Sequence, residues 1–123
     1  MPALRKILLA EDEPDIAELF GLALTSAGFS VEIVNNGAEA IKKLKSFKPD
    51  LLLLDLVMPD IDGYEVLDSI KSDKSFRGPI YVWSNLTQKS EIDKATKAGA
   101  DGYIVKSNFT PAKLVEKVRE ILS

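Results

Sequence analysis

The 123-residue sequence contains no cysteine and no histidine. Without cysteine there is no disulfide framework, no thiolate metal site and no cysteine nucleophile. Without histidine there is no histidine-based triad, no imidazole zinc site and no imidazole pH switch. Chemistry must therefore come from carboxylates, lysines, hydroxyls, backbone groups and a hard metal ion. Long apolar runs are missing as well. After Arg5 and Lys6 only Ile7, Leu8, Leu9 and Ala10 precede Glu11, too short a run for a signal or membrane segment. The expectation is a cytoplasmic protein with no membrane partner. A basic excess is also absent: the formal net charge is -3, which argues against direct nucleic-acid binding.

What is present is enough apolar material for a core, 46% of residues, in a length suited to one domain over residues 1–123. Short apolar runs alternate with amphipathic stretches, and no repeat or low-complexity segment interrupts them. The runs Ile7–Ala10, Val31–Val34, Leu51–Leu54, Ile80–Trp83 and Tyr103–Val105 are continuous, as in parallel strands covered on both faces. Between them Ile16, Leu19, Phe20, Ala23 and Ala27 mark a first helix stopped at Gly28. Ala38, Ile41, Leu44 and Phe47 mark a second before Pro49, and Val66, Leu67 and Ile70 a third before Gly78-Pro79. Ile92, Ala95 and Ala98 mark a weak fourth ended by Gly99. In the fifth, Thr110 is the cap, Pro111 the first helical residue, and Leu114, Val115, Val118, Ile121 and Leu122 the buried stripe. Five such βα units predict an α/β, flavodoxin-like (βα)5 three-layer sandwich with a parallel sheet in the order 2-1-3-4-5. Ligands then bind beyond the carboxyl ends of strands one and three, where the strand order reverses.

Glu11, Asp12 and Glu13 follow strand one, and Asp55 closes the otherwise apolar run from Leu51 to Met58. Glu11, Asp12 and Asp55 would converge in one cleft, where like charges raise one another's pKa or recruit a cation. Magnesium suits them, since it prefers oxygen ligands and leaves coordination positions for water and phosphate. Three carboxylates, one lysine and one magnesium ion sum to zero charge, so balance requires the metal. Ser84 and Lys106 end strands four and five, a hydroxyl and an ammonium suited to stabilising a transferring phosphoryl group. Taken singly, these residues have plainer explanations. The three N-terminal acids could cap the first helix, Lys106 could be a solvated lysine, Ser84 a strand-end hydroxyl, and Asp60 and Asp62 turn residues beside Gly63. A lone aspartate closing so apolar a run is harder to explain structurally, and one polar group at each of four strand ends outweighs the separate explanations.

Taken together, Ile7–Pro14, Asp55–Gly63 and Gly99–Lys106 resemble the receiver domain of two-component response regulators, in particular chemotaxis-regulator-like members, and the resemblance spans the chain. It implies that Asp55 is the phosphoacceptor, that Asp12, Asp55 and the Val57 carbonyl bind Mg2+ with Glu11 acting through water, and that Ser84 and Lys106 hold phosphoryl oxygens. It further implies that Ser84 and Tyr103 form the switch, repacking the face made by helix four, strand five and helix five. A sensor histidine kinase or histidine phosphotransfer protein would be the donor, a downstream effector protein the target, and that face the site of a homodimer.

This chain departs from the family pattern at three places. Ser107 stands where a proline commonly follows the lysine, so a cis bond there would cost roughly 3–4 kcal/mol; the alternatives are a bond held cis by its surroundings and a loop rebuilt with a trans bond. Asn85 replaces a small residue and would partly cover the phosphate. Val57 and Leu86 are apolar at positions that tune water attack, which predicts slow self-dephosphorylation. The reading is a signalling module that catalyses only its own modification, with no residues left for an output domain. The alternatives are a receiver-like scaffold independent of phosphorylation and, with less support, a magnesium-dependent phosphohydrolase.

Overall fold

A computed structural model describes residues 4–74 and 76–123. The elements run β1 (Lys6–Ala10), α1 (Pro14–Ser26), β2 (Ser30–Val34), α2 (Gly37–Phe47), β3 (Leu51–Leu54), α3 (Gly63–Asp73), β4 (Ile80–Ser84), α4 (Lys89–Lys97), β5 (Gly102–Val105), a 3-10 turn (Lys106–Asn108) and α5 (Pro111–Leu122). The five strands form one parallel sheet in the order β2-β1-β3-β4-β5, the flavodoxin-like arrangement the alternation predicts.

The strand runs are continuously apolar because both sheet faces are covered. Successive side chains point to opposite faces, so Ile7, Leu9, Leu51, Leu53, Trp83 and Ile104 meet Phe20 and Leu24 of α1 and Leu114 and Val118 of α5. Leu8, Ala10, Leu52 and Leu54 meet Ala40 and Leu44 of α2 and Val66, Leu67 and Ile70 of α3. Leu56, Val82, Ala95 and Ala100 complete that second face under α4.

The buried stripe of α1 differs from the expected one. Ala17, Phe20, Gly21 and Leu24 face the sheet, while Leu19 is 54% exposed and Ala23 only half-buried. This helix carries so many apolar residues that periodicity alone fits more than one face. In α2, likewise, Ala40 rather than Ala38 is buried. Asn36, Asp62 and Thr110 cap α2, α3 and α5 by accepting the amides of Glu39, Glu65 and Lys113. By contrast α4 has no side-chain cap, and among its described residues only Ala95 is fully buried.

Candidate functional site

The parallel register brings the carboxyl ends of β1, β3, β4 and β5 to one rim of the sheet. Asp55 follows β3 directly; its amide donates to the Ala10 carbonyl at the end of β1 (3.0 Å), which aligns the two strand ends. Beyond it the chain turns sharply, with Asp60 in the left-handed region (φ 67°) and Asp62 capping α3. Gly63 makes that turn fit, because a Cβ there would lie 2.6 Å from the Asp55 carbonyl oxygen. The turn roles expected of Asp60 and Asp62 hold.

Glu11, Asp12 and Asp55 converge as expected, each offering a carboxylate oxygen within 4.8 Å of the others. Lys106 reaches back from the end of β5, its Nζ 2.8 Å from Asp55 Oδ2 and 2.5 Å from Glu11 Oε1. It is 9% exposed, Ser84 2%, Asp55 4% and Glu11 1%, so neither Lys106 nor Ser84 is a solvated end group. Capping does not explain the acids either: Glu13 is the N-cap of α1 yet makes no side-chain cap bond. Asp55, Ser84 and Lys106 line a cleft of about 190 Å³ together with Asp12, Glu13, Val57, Asn85 and Leu86. A wider, mostly apolar groove of about 390 Å³ lies between α1 and β2 and shares Glu11 and Asp12 with this rim.

Electrostatics follow from burial. Desolvation pushes the Asp55 carboxyl up to about 6, against the opposing pull of the Lys106 ammonium and the Val57 amide, which donates to Oδ1 at 3.0 Å; nearby Glu11 pushes the same way as burial. For Lys106 burial works downward, but hydrogen bonds and charge from Asp55 and Glu11 outweigh it and hold the ammonium above its ordinary value. One lysine thus serves two buried carboxylates, leaving an excess of negative charge in the cleft. Hard oxygen donors with that excess fit a magnesium ion, which Asp12, Asp55 and the Val57 carbonyl could hold.

Several contacts of the site have no signal in the sequence. Trp83, fully buried, donates its indole N–H to Glu11 Oε1 (3.1 Å), while Glu11 Oε2 accepts the Glu13 amide (3.0 Å). Glu11 is thus committed to Lys106, Trp83 and backbone. Asn85 Oδ1 accepts the Ser107 amide (2.8 Å). No cis peptide bond occurs among the described residues; the chain after Lys106 is rebuilt with trans bonds as a 3-10 turn. Finally Tyr64 of α3 donates to Glu91 of α4 (2.6 Å) beneath the Lys94 ammonium, 4.2 Å from its ring. Tyr103 packs beside Tyr64 against the small apolar cluster under α4 and donates its hydroxyl to the Leu86 carbonyl (2.7 Å), two residues beyond Ser84. Ser84 Oγ accepts the Leu86 amide (3.1 Å).

Residues 7–119 match the response regulator receiver domain. The chain belongs to this family. The receiver is 31% identical over 115 residues to the DNA-binding response regulator MtrA of Mycolicibacterium smegmatis, covering 94% of this chain and 49% of that protein. It is 37% identical over 121 residues to the alkaline phosphatase synthesis transcriptional regulatory protein PhoP of Bacillus subtilis, covering 96% and 48% respectively. The chain therefore spans about half the length of these relatives. The names of both speak of DNA binding or transcription, so the expectation of no nucleic-acid contact finds no support in them.

Among solved structures, the receiver superimposes on chemotaxis protein CheY4 of Vibrio cholerae with a TM-score of 0.88 at 26% identity, covering 97% of this chain and 99% of that one. It matches the BeF3-activated N-terminal receiver domain of Klebsiella pneumoniae RstA with a TM-score of 0.87 at 29% identity, covering 96% and 98%. No described helix is long and apolar enough to cross a membrane.

Proposed function

We propose that this receiver accepts a phosphoryl group on Asp55 from a phosphohistidine of a sensor histidine kinase or histidine phosphotransfer protein. The observation that carries the reading is the buried Asp55–Lys106 pair, facing two further carboxylates in a cleft at the reversal of strand order. A carboxylate oxygen of Asp55 attacks phosphorus, the P–N bond breaks, and the donor imidazole leaves with its electron pair. The product is an acyl phosphate. Lys106 and Ser84 bear donors for the phosphoryl oxygens that gain charge, and burial makes those donors more effective than in water. Glu11, pinned by Trp83, keeps Lys106 in place. Bound Mg2+, held by Asp12, Asp55 and the Val57 carbonyl with Glu11 acting through water, would neutralise the remaining charge.

Signal output runs through Ser84 and Tyr103. If the Ser84 hydroxyl turns toward the phosphoryl group, its bond to the Leu86 amide is given up, and Leu86 also anchors the Tyr103 hydroxyl. Movement there is passed to α4, which has a single fully buried residue and no side-chain cap, the low-stability element on this face. A downstream effector, or a second receiver in a homodimer, would read the α4–β5–α5 face. The protein acts in the cytoplasm and turns over no external substrate. Val57 and Leu86, 63% and 38% exposed at the cleft, offer attacking water no side-chain hydrogen bond, so the acyl phosphate is slow to hydrolyse.

The test is incubation with magnesium and acetyl phosphate, followed by intact mass and Trp83 fluorescence. One phosphoryl increment that needs magnesium and vanishes in Asp55→Asn is expected, with a fluorescence change because Trp83 touches Glu11. No increment while magnesium still binds would favour a scaffold role, multiple-turnover phosphate release would favour a phosphohydrolase, and decay within seconds would refute slow hydrolysis.

A further inference from the structure

We propose that Asn85 is a further phosphoryl-binding residue, oriented for that task by the Ser107 amide; the inference rests on the reading of Asp55 as acceptor. Asn85 directly follows Ser84 and lines the same cleft as Asp55, Ser84 and Lys106. Its carboxamide has one accepting end and one end with two donors. The Ser107 amide, 2.8 Å away, can only donate, so the oxygen must face it and the amino end must point elsewhere. Among the described residues nothing accepts from that amino end.

Two neutral N–H donors thus stand on the wall of a cleft that already presents an ammonium and a hydroxyl. A phosphoryl group has three peripheral oxygens and can accept more hydrogen bonds than Lys106 and Ser84 supply. The residue at 107 matters for the same reason: a proline there has no N–H and would leave the carboxamide unoriented. Asn85 and Ser107 therefore act as a pair, which also ties the end of β4 to the turn after Lys106.

Beryllofluoride with Mg2+, an analogue of the phosphoryl group on Asp55, is the probe, titrated by Trp83 fluorescence and 19F NMR on the full chain. Asn85→Ala removes both ends of the carboxamide and is expected to weaken binding about tenfold, the size of one hydrogen bond to a charged group. Asn85→Asp keeps an acceptor for Ser107 but loses the donors, and should bind more weakly still. Ser107→Pro, which removes only the orienting group, should weaken binding by a smaller factor. In the wild type, the Asn85 side-chain amide protons should shift when the probe binds.

A purely structural Asn85 gives a different order, with Asn85→Ala no weaker than Ser107→Pro. That order, or unmoved Asn85 amide resonances, would overturn the inference while leaving Asp55 as acceptor. A wild type that fails to bind the probe would instead count against Asp55 and take this inference with it. Thermal unfolding of each variant separates lost binding from lost fold.

Discussion

Two charged clusters sit at opposite ends of the same strands and behave differently. At the amino ends of β1 and β3, the Asp50 carboxylate accepts the Lys6 amide (2.7 Å) and lies 3.9 Å from the Arg5 guanidinium, with the two side chains 43% and 53% exposed. At the carboxyl ends, Lys106 joins Asp55 and Glu11 at 9% exposure or less. Charge pairing is common to both. Burial is what separates them: in water a pair of this kind contributes about 0–1 kcal/mol and is screened by salt, whereas in the interior each charge depends on its partner. The solvated cluster fastens strand starts; the buried one holds an excess of negative charge.

The largest effect should come from breaking the buried cluster. Lys106→Met leaves two carboxylates without their cation and should cost about 3 kcal/mol in urea unfolding at pH 7 without metal. Adding Asp55→Asn to it should recover much of that loss.

Asp55→Asn alone sharpens the comparison in the opposite direction. The folded-state Asp55 titrates at about 6 against an ordinary 3.8, so between these pH values the folded protein binds more protons than the unfolded chain. The contribution of Asp55 to the stability of the metal-free wild type then falls as pH rises from about 4 to about 6. The variant lacks this penalty and should exceed wild type by on the order of 2–3 kcal/mol at pH 7, with no such gain at pH 4. Equal pH dependence for both proteins would contradict the burial of Asp55. Magnesium should reduce the difference if it binds the folded wild type through Asp12 and Asp55 as proposed.

A smaller effect is expected at Trp83→Phe, which keeps a ring against Phe20 (ring centroids now 4.8 Å apart) but removes the donor to Glu11. A loss of about 1–2 kcal/mol and an altered magnesium affinity would show that the indole positions Glu11. If magnesium affinity does not move, Trp83 is packing alone. Smallest of all, Arg5→Ala at the solvated end should change stability by about 0.5 kcal/mol or less, and high salt should abolish even that.

Much of this was legible in the chain itself. The Leu51–Leu54 run ends in Asp55 because a central parallel strand needs apolar residues on both faces, while the position just beyond it opens on the rim. Glu11 and Lys106, each just beyond its strand, Ser84, the last residue of β4, and Asp12, one residue further on, also open on this rim and could be found the same way. The face of α1 could not, since Ile16, Ala17, Leu19, Phe20, Leu22, Ala23 and Leu24 satisfy several registers and only contact with β2 and α5 selects one. The shape of the loop after Lys106 was equally undecided until the Ser107 amide met Asn85.

The sequence by itself determined the order of strands and helices and the kinds of groups at the rim, because periodicity and turn chemistry act over a few residues. Only the tertiary structure decided which groups touch. Trp83 reaches Glu11 across 72 positions, Lys106 reaches Asp55 across 51, and Asn85 reaches Ser107 across 22. No local pattern records such pairings, since they exist only once the sheet has closed and excluded water from the rim.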